Sequence, residues 1–105
     1  MDTLRLVTYV PMTHADRVRE AIGKSGGGKI GNYSHCSFSS IGVGRFLPQK
    51  DARPSVGKLG VIAEVPEERI ECYCKKSELK KIAEAIRKVH PYEEVPIDVS
   101  VVEIV

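Results

Sequence analysis

Apolar and polar residues alternate from Thr3 to Val10, with Leu4, Leu6 and Val10 on one face and Arg5, Val7 and Tyr9 on the other. That period of two predicts a strand, and Pro11, with no N–H for a ladder, predicts its end. Ala15, Val18 and Ile22 recur at helical spacing, with Asp16, Arg17, Arg19 and Glu20 mostly outward, and Thr13 followed by Asp16 reads as a capping box. Gly23 and the run Gly26-Gly27-Gly28 predict the helix exit. Tyr33 to Ser40 reads as a second strand, with Ser34, Cys36 and Phe38 on one side and Tyr33 and His35 on the other. Gly42 and Gly44 are expected to bend the chain so that Arg45 to Leu47 returns as a hairpin partner. Pro48 to Lys58, polar and with two prolines, reads as an excursion from the core.

Glu68 to Lys75 predicts another strand, with Ile70, Cys72 and Cys74 facing one way and Glu71 and Tyr73 the other. Ser77 is the expected N-cap of a second helix, whose stripe of Leu79, Ile82, Ala83, Ile86 and Val89 is the cleanest in the chain. Pro91 ends it, and Ile97, Val99 and Val101 alternate with Asp98, Ser100 and Val102 in a closing strand. This order predicts an α+β, ferredoxin-like βαβ–βαβ sandwich over residues 1–105, an antiparallel sheet with two helices on one face. Parity leaves Val7, Tyr9, Tyr33, His35, Tyr73 and Val102 on the bare face. So large an aromatic patch predicts a contact surface and self-association.

A chain of 105 residues with 42% hydrophobic and 29% charged residues carries one core and is not disordered. The net charge of +2, from 16 dispersed basic residues against 14 acidic ones, points away from nucleic acid. No apolar run reaches the ~18 residues of a membrane span. Three cysteines make no disulfide framework, and Asp2 and Arg5 near the start make no signal peptide, so a reducing cytoplasm is expected.

Gly26 to Gly31 contains a formal Gly-x-Gly-x-x-Gly, but it follows a helix and precedes a strand, the reverse of a dinucleotide fingerprint. Gly23-Lys24-Ser25 mimics the end of a P-loop whose earlier glycine would fall at Val18. His35 and Cys36, adjacent on a strand, point to opposite faces, so Cys36 is expected in the core and His35 at the contact surface. Cys72 and Cys74 share a face at a spacing too wide for an easy disulfide and read as core packing. His90, near a helix C-terminus, with Tyr92, Glu93 and Glu94 is the best candidate site, able to pair, bind a cation or move protons. The alternative there is a helix stop at Pro91, Tyr92 at the core edge and solvated glutamates. No catalytic triad or Cys–His pair can be argued from spacing.

The string Gly28-Lys29-Ile30-Gly31-Asn32-Tyr33-Ser34-His35-Cys36-Ser37-Phe38, with His90-Pro91-Tyr92-Glu93-Glu94-Val95, resembles the PII/CutA-like domain inserted in YqfO-type proteins, the GTP cyclohydrolase I type 2 homologues. The resemblance covers nearly the whole chain, more loosely from Gly42 to Gly57. It implies a PII-like fold that tends to form trimers. It also implies that His90, Tyr92 and Glu93 line a cleft between subunits, as in CutA proteins. Asn32, Tyr33 and His35 from the first string join them as candidate ligand-binding residues. The dinuclear metal of the larger proteins belongs to their flanking halves, so a stand-alone domain without it is expected, and the cyclohydrolase name does not carry over.

The leading expectation is a homotrimeric module that senses a small ligand, a metal or a partner protein, with no catalytic residues. One alternative is binding of a divalent metal ion through His35, His90 and Glu93. The other is an enzyme acting on a nucleotide or small molecule, supported only by the glycine run and Lys29.

Overall fold

The alternation that opens the chain builds strand β1 (Thr3–Pro11), and the computed structural model, which describes residues 2–105, places it inside a four-stranded antiparallel sheet. Helix α1 (Ala15–Lys24), strands β2 (Phe38–Phe46) and β3 (Ala63–Lys75), helix α2 (Leu79–Val89) and strand β4 (Ile97–Val101) follow. The strand order is β2-β3-β1-β4. β1 pairs with β3 from Thr3↔Lys75 to Pro11↔Glu67 and with β4 from Leu4↔Val101 to Thr8↔Ile97. The same split βαβ unit is thus used twice.

The even positions of β1 and β3 face the helices. Leu4, Leu6, Val10, Ile70, Cys72 and Cys74 meet Ala15, Val18, Ile22, Ile82 and Ile86 in one core. Burying each large aliphatic side chain there contributes roughly 1.5–3 kcal/mol, so the α2 stripe anchors the sheet as its periodicity predicts. Burial also pushes the Cys72 thiol up to about 12, with Cys74 adding to the shift, so it behaves as a small hydrophobe.

Several sequence expectations are corrected. β2 starts at Phe38 rather than Tyr33 and runs straight through Gly42 and Gly44 to Phe46, with no hairpin return at Arg45 to Leu47. β2 is an edge strand paired only with β3, which tolerates both glycines. Gly44 has a positive reason to be there: a Cβ would collide with Glu67 Oε1. Residues 29–35 form a loop instead of strand, closed by the mutual backbone hydrogen bonds of Ile30 and Tyr33 at 3.0 and 2.9 Å. Tyr33, 75% exposed, and His35 thus leave the bare face, and Cys36 is half-buried at its edge rather than in the core.

That face carries Arg5, Val7 and Tyr9 of β1, Arg69, Glu71 and Tyr73 of β3, and Phe38 of β2, which is 68% exposed. Arg5 Nη2 donates to Tyr73 Oη at 3.2 Å and Arg5 Nε lies 3.8 Å from Glu71, so charge is interleaved with the aromatic rings. Neither expected cap forms. Thr13 Oγ1 bonds His14 Nδ1 at 2.8 Å, and Ser77 lies inside a 3-10 turn. Both helices open on such turns, Met12–His14 and Lys76–Glu78, whose tighter bonding absorbs N–H groups that a cap would satisfy. Among the described residues no helix is long and apolar enough to cross a membrane.

Gly28 is the backbone position least open to change. Its φ is +76°, and a Cβ would collide with the Cys36 carbonyl oxygen. Gly31 has φ +56° but open space around it. Gly28→Ala is expected to cost about 2 kcal/mol or more and Gly31→Ala about 1 kcal/mol, read as shifts in the urea midpoint. Equal costs would contradict the packing at Gly28.

Candidate functional site

Two connections fold over one end of the open sheet face: the segment 47–62 between β2 and β3, and the segment 90–96 between α2 and β4. Between them lies a groove of about 710 Å³, lined by Tyr9, Gly44, Arg45, Phe46, Pro48, Val56, Glu67 and Tyr92 to Pro96 among others. Pro91 stops α2, and His90 turns extended at φ −75°, ψ 135°, while its N–H still bonds Ile86 O at 2.9 Å.

His90 is 7% exposed and both its ring nitrogens are engaged. The backbone N–H of Tyr92 donates to Nδ1 at 3.1 Å, which leaves Nε2–H as the donor to the Tyr9 carbonyl at 2.7 Å. Burial lowers its pKa, outweighing the Tyr9 hydrogen bond and the Glu67 charge, which act the other way, and His14 adds to the lowering. The helix dipole therefore does not make His90 an imidazolium, and as held here it offers no free lone pair to a metal.

The His90 anchor delivers Tyr92. Its ring lies 5.0 Å from the imidazole and packs edge-on to Phe46 at 5.5 Å, and its hydroxyl donates to Glu67 Oε2 at 2.7 Å. Burial, then the Glu67 hydrogen bond, pushes the phenol pKa up, so the group stays an O–H donor. Glu93 Oε1 accepts the Arg53 N–H at 2.7 Å and Thr8 Oγ1 donates to Pro96 O at 2.8 Å, tying the two connections to each other and to the core.

The sequence candidates separate into two groups. His90, Tyr92 and Glu93 belong to this groove or its support. Asn32, Tyr33 and His35 sit on the 29–35 loop, where His35 (φ 59°) folds back against Gly23 and lies 3.7 Å from Glu20. Other residues of that string, Ile30, Cys36, Ser37 and Phe38, line a second pocket of about 350 Å³ with Arg5, Glu71, Cys72 and Tyr73. Among the described residues no cluster of three or more His, Cys, Asp or Glu is arranged to hold a metal ion. In the glycine run, Gly26 and Gly28 have positive φ, and a strand rather than a helix follows them. Glu67, Phe46 and Tyr9 were missed by sequence reasoning as parts of the site. Gly44 was the available signal, since a glycine inside a strand marks a close approach.

Lowering of the His90 pKa predicts a direction for stability against pH. Above 6.5 the imidazole is neutral in both folded and unfolded chains, so its contribution is level. As pH falls through 6.5 the unfolded chain takes up the proton first and stability drops, until the folded imidazole is protonated too. Urea midpoints between about pH 8 and 5 are expected to fall more steeply for the native chain than for His90→Gln; identical slopes would show that His90 is not the group responsible. Tyr92→Phe is expected to cost about 1–3 kcal/mol by removing the partner of Glu67, measured in the same titration at neutral pH.

No family model matches the chain. It is 46% identical over 99 residues to the GTP cyclohydrolase 1 type 2 homolog of Bacillus subtilis, covering 94% of this chain and 26% of that protein. Against the homolog of Halalkalibacterium halodurans it is 47% identical over 90 residues, covering 86% and 24%. The chain thus spans about a quarter of the length of the curated relatives it matches. Among solved structures, a Bacillus cereus protein related to NIF3 superposes with a TM-score of 0.80 at 45% identity, over 93% of this chain and 25% of the other. The periplasmic divalent cation tolerance protein CutA of Archaeoglobus fulgidus superposes at 0.67 with 12% identity, over 96% and 84%, a likeness of fold alone. This chain therefore has the CutA/PII-like fold and corresponds to the domain of that fold within GTP cyclohydrolase 1 type 2 homologues.

Proposed function

We propose that the chain is an assembling, ligand-binding module rather than a catalyst, and that it works as a homotrimer with a small ligand seated in the groove between residues 47–56 and 90–96. The groove itself carries this reading. At about 710 Å³ it is the size of a small-molecule site, and it is already shaped by side chains from several elements. Its polar groups are fixed in place by one another, Tyr92 on Glu67 Oε2 and Glu93 Oε1 on the Arg53 N–H, which suits a preformed binding surface better than proton transfer.

The CutA/PII-like fold supports the trimer, and the open face offers a surface for it. Phe38 stands 68% exposed there, on the same face as Arg5, Glu71 and Tyr73. An aromatic residue ringed by pairable charges has the composition of an interface centre more than of ordinary solvated surface.

Light scattering on the full chain at micromolar concentration is expected to give three times the mass of one chain. Phe38→Asp, which places a charge on the open face without touching the core, is expected to shift the mass to one chain with an unchanged circular dichroism spectrum. A native chain that remains monomeric sinks the assembly.

A further inference from the structure

We infer that the groove selects a small organic cation, a flat apolar body carrying an ammonium or guanidinium head. This rests on the groove being the ligand site, and it adds the chemical class of the occupant.

The polar floor of the groove is Glu67, only 9% exposed, with Oε2 taken by the Tyr92 hydroxyl. A carboxylate has acceptor capacity for more than one donor, and among the described residues only Oε2 is hydrogen-bonded, which leaves Oε1 with capacity to accept. The carboxylate lies over Gly44, where a Cβ would collide with it, so the glycine makes the room that Glu67 needs at the floor of the groove. Glu93 and Glu94 line the same groove. Arg45 is the one cationic lining residue among those described, and it is already paired with Glu64 at 3.1 Å. An anionic ligand would meet three carboxylates with no free cation to receive it. A cation is drawn by the same charges.

The walls fit the rest of such a ligand. Tyr9, Phe46 and Tyr92 present aromatic surface, which attracts a cationic head through the ring quadrupole and covers an apolar body by contact. The Tyr92 phenol keeps its proton, so its place beside Glu67 adds a dipole and no second negative charge.

Three probes with one body and different heads separate charge from shape: benzylammonium, benzyl alcohol and benzoate, each titrated into the full chain at neutral pH and followed by amide NMR shifts. Benzylammonium is expected to move the signals of Gly44, Phe46 and Tyr92, to bind more tightly than benzyl alcohol, and to lose about tenfold in affinity in Glu67→Gln. The amide introduced by that substitution keeps an acceptor for the Tyr92 hydroxyl, so the fold is preserved, checked by the melting curve. Benzoate is expected to leave those signals in place. If benzyl alcohol or benzoate binds as tightly as benzylammonium, or if Glu67→Gln leaves benzylammonium binding intact, the cation inference falls while the groove stands as a ligand site. If none of the three moves the signals, the groove falls with it.

Discussion

The register between β1 and β3 decides what meets the helices and what meets solvent. With Leu6 opposite Cys72 and Thr8 opposite Ile70, the apolar positions of both strands lie under α1 and α2. A slip of one residue would turn Glu67, Glu71 and Tyr73 toward the helices and expose the core set, since side chains alternate with a strict period of two. The same register puts Tyr9 and Glu67 at one end of the open face, where the groove forms, and Arg5, Glu71 and Tyr73 further along it. Core, open face and groove all follow from one pairing.

At the groove, polar groups are held in series. The Tyr9 carbonyl fixes the imidazole of His90, the imidazole fixes the Tyr92 backbone, and the Tyr92 hydroxyl fixes the Glu67 carboxylate. Each link uses a group that would be costly to bury alone, so the segment after α2 is held by satisfied hydrogen bonds as well as by the packing of Val95 on the core. Among the described residues no buried side-chain nitrogen or oxygen lacks a partner.

Where burial and periodicity agree, the elements were legible from residue order. The alternation of β1 and the stripe Ile82, Ala83 and Ile86 both appear as read, and the two split βαβ units follow from them. β2 was not legible at its ends because it is an edge strand whose residues are largely exposed, so its glycines mimicked a bend. Thr13 and Ser77 resembled caps, but 3-10 turns took over that task. His90, Tyr92 and Glu93 stood out as one short motif and lie at or beside the groove. Glu67 did not stand out: it meets Tyr92 only because the strand pairing and the turn at Pro91 bring distant segments together.

Gly28 closes the 29–35 loop at its base, giving its N–H to the Tyr73 carbonyl at 2.8 Å and taking the Cys36 N–H at 2.9 Å. Those two bonds make a clasp, and among the described residues the tip from Gly31 to Tyr33 makes no hydrogen bond to the sheet. Beyond the φ +56° that favours glycine at Gly31, the exposed tip to Tyr33 tolerates changes of length and chemistry better than the strands do. The domain thereby has a surface tip whose sequence can vary while the framework behind it stays still.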